Sequence, residues 1–201
     1  MKKLSALGLA VVLSLGGVSA ARADVLLNIN LSVPNQFTIT ALPGLSAVST
    51  SGSTTTGFYF QNFFGSSATF TTAATTVGPA TLTPASVASD GSPALFRFNA
   101  TEPGLNVWSY SATGTTTFAA GAVAFTGSAT WTVPAAIYAA ALAGSLGGNV
   151  YFPADDITDL PTAQILGTYS VTAVPEPATA ALLGLGAAGL LMVRRRRQDG
   201  E

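Results

Sequence analysis

Short stretches in which apolar and polar side chains alternate fill the middle of the chain, separated by turn residues. Phe58 and Phe60 fall on one side of an extended segment, as do Val123, Phe125, Gly127, Ala129 and Trp131. Residues two apart share a face in a β-strand, so the alternation predicts strands rather than helices. Strands are expected at 25–33, 36–42, 54–61, 68–72, 95–100, 106–111, 115–119, 122–133, 149–152 and 165–173. Thr, Val and aromatic residues favour them, and Pro43-Gly44, Asp90-Gly91 and Pro103-Gly104 mark turns between them. One segment departs from the pattern: Pro134 suits a first helical position, 135–143 are mostly good helix formers, and Gly144 suits the C-terminal cap. Many short strands without a fixed repeat predict an all-β fold, an antiparallel β-sandwich with one short helix near 135–143. The Thr/Ser-rich stretches 46–56 and 71–83 fit either solvent loops or exposed edge strands.

Two apolar runs stand outside this pattern, one at each end. Lys2 and Lys3 precede an apolar stretch, and Ala21-Arg22-Ala23 then places small residues at the two positions that a signal peptidase reads. Residues 1–23 are therefore expected to be a secretory signal peptide, with Ala21 and Ala23 at the signal peptidase site and Asp24 the first mature residue. Sec-type export machinery and signal peptidase follow as partners. Near the other end, 178–193 is an uninterrupted apolar run, followed by Arg194, Arg195, Arg196 and Arg197. As a helix it measures about 24 Å, short for a hydrocarbon core of about 30 Å. Arginine side chains snorkel and extend its reach, so a transmembrane helix is predicted. The four arginines form a basic anchor that stays in the cytoplasm. That orientation puts the preceding residues outside, where the signal peptide delivers them. Between the signals, 24–173 is an exported β-rich domain of ordinary size.

Val174-Pro175-Glu176-Pro177, the apolar helix at 178–193 and the arginine cluster stand in a fixed order at 174–201. This tripartite tail resembles the sorting signal of the PEP-CTERM family, and the resemblance is confined to the tail. It implies an exosortase as processing partner, with Pro175, Glu176 and Pro177 as the sorting and cleavage recognition residues. It implies also a transient inner-membrane anchor with a cytoplasmic C-terminus, then release to the cell surface or the extracellular space. Organisms with this system commonly make exopolysaccharide and biofilm. The chemistry of the motif agrees: each proline fixes φ near −65°, withholds a backbone donor and disfavours helix in the residue before it. An extended segment with the single charge of Glu176 is what a protease subsite can read.

Charge then narrows the function of the body. Seven of the eight basic residues sit in the terminal segments, leaving Arg97 against Asp24, Asp90, Glu102, Asp155, Asp156 and Asp159, a formal charge of −5. Such a surface repels phosphate backbones, so no nucleic-acid partner is expected. The chain has no cysteine and no histidine, which removes Ser-His-Asp and Cys-His catalysis and imidazole zinc sites. No enzymatic activity and no cofactor are expected. Asp155, Asp156 and Asp159 are the candidate metal ligands, three carboxylates in five positions that suit calcium. The competing reading makes them caps of a short turn. Trp108, Tyr110, Trp131, Tyr138 and Tyr151 are candidates for stacking on sugar rings, against the alternative that they belong to the core. The sequence thus predicts a structural protein of the cell surface or extracellular matrix, associated with biofilm and exopolysaccharide. Its rivals are a carbohydrate-binding module for exopolysaccharide and a permanently anchored single-pass inner-membrane protein.

Overall fold

A computed structural model describes residues 23–65, 70–72, 76–97 and 103–173. The predicted signal peptide up to Arg22, Glu102, Pro175, Glu176, Pro177, the predicted membrane helix and Arg194 to Arg197 lie outside the described residues. Among the described residues, no helix is long and apolar enough to cross a membrane.

In chain order the strands are β1 (Val25–Asn30), β2 (Gln36–Ala41), β3 (Thr50–Ser53), β4 (Phe58–Phe60), β5 (Phe70–Thr72), β6 (Thr83–Pro84), β7 (Ala94–Arg97), β8 (Leu105–Trp108), β9 (Thr115–Phe118), β10 (Phe125–Thr126) and β11 (Ser128–Thr132). Helix α1 (Ala135–Leu142) follows, then β12 (Gly147–Phe152), a 3-10 turn (Ile157–Asp159) and β13 (Gln164–Thr172). Nine strands form one sheet in the order β11-β2-β1-β13-β12-β4-β8-β7-β5. Two ribbons, β10-β6 and β3-β9, complete the strand pairing. The β-rich architecture with one short helix agrees with the sequence.

The layering does not follow the expected antiparallel sandwich. A single curled sheet replaces two facing sheets, and β1 runs parallel to β13 at its centre, with Val25 opposite Thr168 and Asn30 opposite Thr172. Antiparallel neighbours are dictated by short hairpins, whereas these two strands are the ends of the domain. The whole chain from Leu31 to Ala163 serves as the long crossover that parallel pairing requires. The curl brings the ends of the sheet order together. In β11, the first strand, Trp131 Nε1 donates to the Pro93 carbonyl at 2.9 Å, just before β7, the eighth. Trp131 also bridges Thr76, and Val77 N donates to Thr130 O at 2.8 Å.

Aromatic residues fill the interior of the curl. Phe58 packs on Phe125 and Tyr110 with ring centroids 4.9 and 5.1 Å apart, and Phe118 packs on Phe125 and Phe152 at 5.1 and 5.0 Å. These distances fit tilted and edge-on aromatic contacts. The strand expected over 122–133 is broken in two at Gly127, whose φ is +77° and whose missing Cβ leaves room for the Thr81 carbonyl. Phe125 and Trp131 remain buried on either side, while Val123 is exposed. Of the two open Thr/Ser stretches, 46–56 contains strand β3, paired with β9 in an outer ribbon. Helix α1 buries Ile137, Ala140 and Ala141, and Pro134 precedes it as N-cap, one place earlier than expected.

Candidate functional site

The register of β4, β8 and β7 sorts their side chains onto two faces. Phe58 lies opposite Val107, Phe60 opposite Leu105 and Val107 opposite Leu95, and all five are fully buried in the core. The alternate residues form the outer face: Tyr59, Asn106 and Phe96 in one row, Trp108 and Ala94 in the next. Tyr59, Asn106 and Ala94 are buried on this face as well. Trp108 and Phe96 are half-buried and flank a shallow depression of about 200 Å³, lined also by Thr55, Asn106 and Asp155.

Asn106 builds this depression. Its side chain is buried, and Nδ2 donates to the Thr56 carbonyl at 2.8 Å and the Ala154 carbonyl at 3.0 Å, with Phe58 O at 3.3 Å. Three surrounding carbonyls can face only the amide NH2, which fixes which end of the side chain is which. The same amide holds together the two loops that wall the groove. Gly57, at φ +79°, lets the first loop pass against the Val107 carbonyl, where a Cβ would collide. Ala154 N donates to Gly57 O at 3.1 Å, which joins the second loop to the first.

The second loop leads into the acidic cluster. Asp155, Asp156 and Asp159 each offer a carboxylate oxygen, and these atoms lie within 4.8 Å of one another. Asp156 Oδ1 accepts from Thr158 N and Thr158 Oγ1, both at 2.6 Å, and Asp159 Oδ2 accepts from Asp155 N at 2.9 Å. Asp156 is thereby the N-cap of the 3-10 turn. Local backbone donors account for the convergence of Asp156 and Asp159, and Asp155 faces the groove.

The aromatic candidates divide. Trp131 and Tyr110 are fully buried. Tyr138 Oη donates to the Leu31 carbonyl at 2.6 Å, which ties α1 to the end of β1, and half-buried Tyr151 neighbours Asn149. Trp108 alone of the five lines the groove. Thr55, Phe96 and Asn106 were not singled out by the sequence reading. A period-2 reading of 94–97 against 105–108 would have shown apolar residues on both faces, the available signal.

At the other end of the domain, β13 carries the chain out of the sheet. Leu31 N donates to Thr172 O at 2.7 Å and Asn28 Nδ2 to Thr172 Oγ1 at 3.0 Å, so pairing holds to the last strand residue. Ala173 follows, then Val174 and Pro175. Residues 173–197 match the family described as the PEP-CTERM protein-sorting motif, which begins where β13 ends. No curated protein and no solved structure matches the chain.

Proposed function

We propose, taking the PEP-CTERM protein-sorting motif at 173–197 as the premise, that this is an exported protein cut by an exosortase and left at the cell surface as a non-catalytic matrix component. The observation that carries this reading is the junction between fold and motif. Every described residue of the core precedes Val174, so a cut near Pro175 to Pro177 leaves the described sheet and core whole. Ala173 and Val174 alone separate the last strand residue from Pro175. At about 3.3 Å per extended residue the protease works within roughly 10 Å of the folded sheet. The folded body therefore sits directly against the enzyme and the membrane, and the tail serves as a disposable anchor.

A structural rather than catalytic role for the body is supported by the absence of histidine and cysteine from the sequence. It is supported also by the consumption of Asp156 and Asp159 as turn caps. The test is intact mass spectrometry of the protein from fractionated cells, with and without the exosortase gene. The expected product starts at Asp24, ends near Pro175 to Pro177, lies at the surface or in the medium, and is lost in the knockout. Retention of Arg194 to Arg197 in the inner membrane of both strains would leave the single-pass anchor as the correct reading.

A further inference from the structure

We propose that the end of the domain at which the chain leaves β13 is a lipid-facing surface, laid on the membrane for as long as the tail anchors the protein. The inference rests on the reading of 178–193 as a membrane anchor and adds the face that the body turns to the bilayer. β1 and β13 run parallel, so Asn30 and Thr172 end side by side. Tyr138 Oη ties α1 to the Leu31 carbonyl, and Val171 N donates to Leu146 O at 2.8 Å. The turn after β1, helix α1 and the segment that follows it therefore share one end of the sheet with Ala173.

That end is apolar where contact with water would favour polar side chains. Leu146 is 71% exposed and Val33 49%. Helix α1 has Tyr138 as its one polar side chain, and that hydroxyl is bonded within the fold. Ala135, Ala136 and Ala139 are exposed, while Ile137, Ala140 and Ala141 are buried. A helix apolar on every side is ordinarily covered on every side, and this one is covered on one. No charged residue occurs at 31–36, 135–147 or 171–173. The described carboxylates lie at the opposite end. Asp24 precedes β1, and Asp155, Asp156 and Asp159 precede β13. Asp90 N bonds to Tyr110 O, past the end of β8, which runs opposite to β13. An anionic lipid surface repels that end and spares the other.

The tether decides what covers the face. Val174, Pro175, Glu176 and Pro177 separate Ala173 from the apolar run at 178–193, a reach of at most about 14 Å. A body held that close meets lipid at high effective concentration, so a small apolar face suffices. Helix α1 is about 12 Å long, too short to cross the bilayer and suited to lie on it. Held this way, the domain keeps Pro175 to Pro177 between itself and the lipid, and a cut there ends the contact.

The test uses the uncut protein from the membranes of an exosortase knockout, reconstituted in phosphatidylethanolamine and phosphatidylglycerol vesicles. The chain has no cysteine, so each single-cysteine variant carries one NBD fluorophore. Lipids with a doxyl quencher high on the acyl chain report contact. Leu185→Cys, within the apolar run, reads the anchor. Leu146→Cys and Val33→Cys read the proposed face, and Val123→Cys, exposed at the Asp24 end, is the control. Quenching of at least twofold is expected at 185, 146 and 33, and none at 123. Ala139→Glu, at an exposed position, should at least halve the quenching at 146 with the thermal melt unchanged. No quenching at 185 would remove the anchor, and this proposal with it. Three results would overturn the proposal and leave the anchor standing: quenching at 185 without quenching at 146 and 33, equal quenching at 123, or quenching at 146 that Ala139→Glu does not move. Shielding of 146 only in vesicles that contain exosortase would assign the face to the enzyme and overturn it too.

Discussion

The two faces of strands β4, β8 and β7 are built from the same few residues and do opposite jobs. On the inner face Phe58, Phe60, Leu95, Leu105 and Val107 touch only other apolar groups and are sealed from water. On the outer face Tyr59 and Asn106 are buried as well, while Phe96 and Trp108 are half-buried beside Thr55, Asn106 and Asp155. Hydrophobicity alone does not separate them. What separates them is the company that the rings keep, apolar side chains on the inner face and an amide, a hydroxyl and a carboxylate on the outer. Inner-face substitutions should cost packing, and outer-face substitutions should cost hydrogen bonds.

The largest effect expected is on the inner face. Phe58 contacts Phe60, Tyr110 and Phe125, and nothing nearby is flexible enough to fill its place. Phe58→Ala should cost about 3–5 kcal/mol, read as a drop in the urea midpoint. A midpoint that moves by less than about 1 kcal/mol would mean that the inner face repacks around the lost ring and that the division drawn above is wrong.

Asn106→Ala comes next and tests the one residue that serves both purposes. It strands the Thr56 and Ala154 carbonyls that its Nδ2 now satisfies, a loss of about 2–3 kcal/mol, and it frees both loops that wall the groove. The urea midpoint should fall accordingly, and a midpoint that holds would mean that the amide does not organise the loops.

Asn106 also shows where sequence reading stops. The alternation at 58–60 was legible because it is local, and it placed a strand within four residues of its observed ends. The break at Gly127 was not, because it depends on the Thr81 carbonyl, which lies 46 positions earlier in the chain. The parallel pairing of β1 with β13 was hidden for the same reason, since no local signal tells the first strand to choose the last. An asparagine inside a strand reads as an ordinary surface residue until three carbonyls from two distant segments are seen around it. By contrast, the sorting motif at 173–197 was legible from the sequence, since it is a linear run of residues in a fixed order.

A smaller effect belongs to the loop that carries Asp155 to the groove. Asp156 caps the 3-10 turn through Thr158 N, and Asp156→Ala should cost about 1 kcal/mol in the urea midpoint. Asp155 hangs on the anchored part of the loop, at the bond from Ala154 N to Gly57 O. The loss should therefore stay local to the turn, and a drop of more than about 2 kcal/mol would mean that the cap also holds the loop against β8.

The smallest effect carries the opposite sign, and it comes from the one polar atom that the inner face has failed to satisfy. Tyr110 is fully buried against Phe58, and its hydroxyl has no hydrogen-bond partner among the described residues. Burial also pushes its pKa far above the usual tyrosine value. Removing an unpartnered buried hydroxyl removes a desolvation cost, so Tyr110→Phe should hold or raise stability at pH 7 by up to about 1 kcal/mol. Tyr169 is the control: burial raises its pKa too, but its Oη donates to Gln61 O at 2.8 Å, so Tyr169→Phe should lower stability by about 1 kcal/mol. The alkaline behaviour follows from the same raised values. A tyrosine that holds its proton more tightly when folded contributes stability that is fully present below its unfolded pKa of about 10 and is lost as pH climbs toward the folded value. Urea midpoints measured from pH 7 to 11 should therefore fall above pH 10 in the unaltered protein, and less steeply in each variant. A loss of stability in Tyr110→Phe at pH 7 would mean that the hydroxyl does have a partner, and the inner face would then hold a polar contact like those of the outer one.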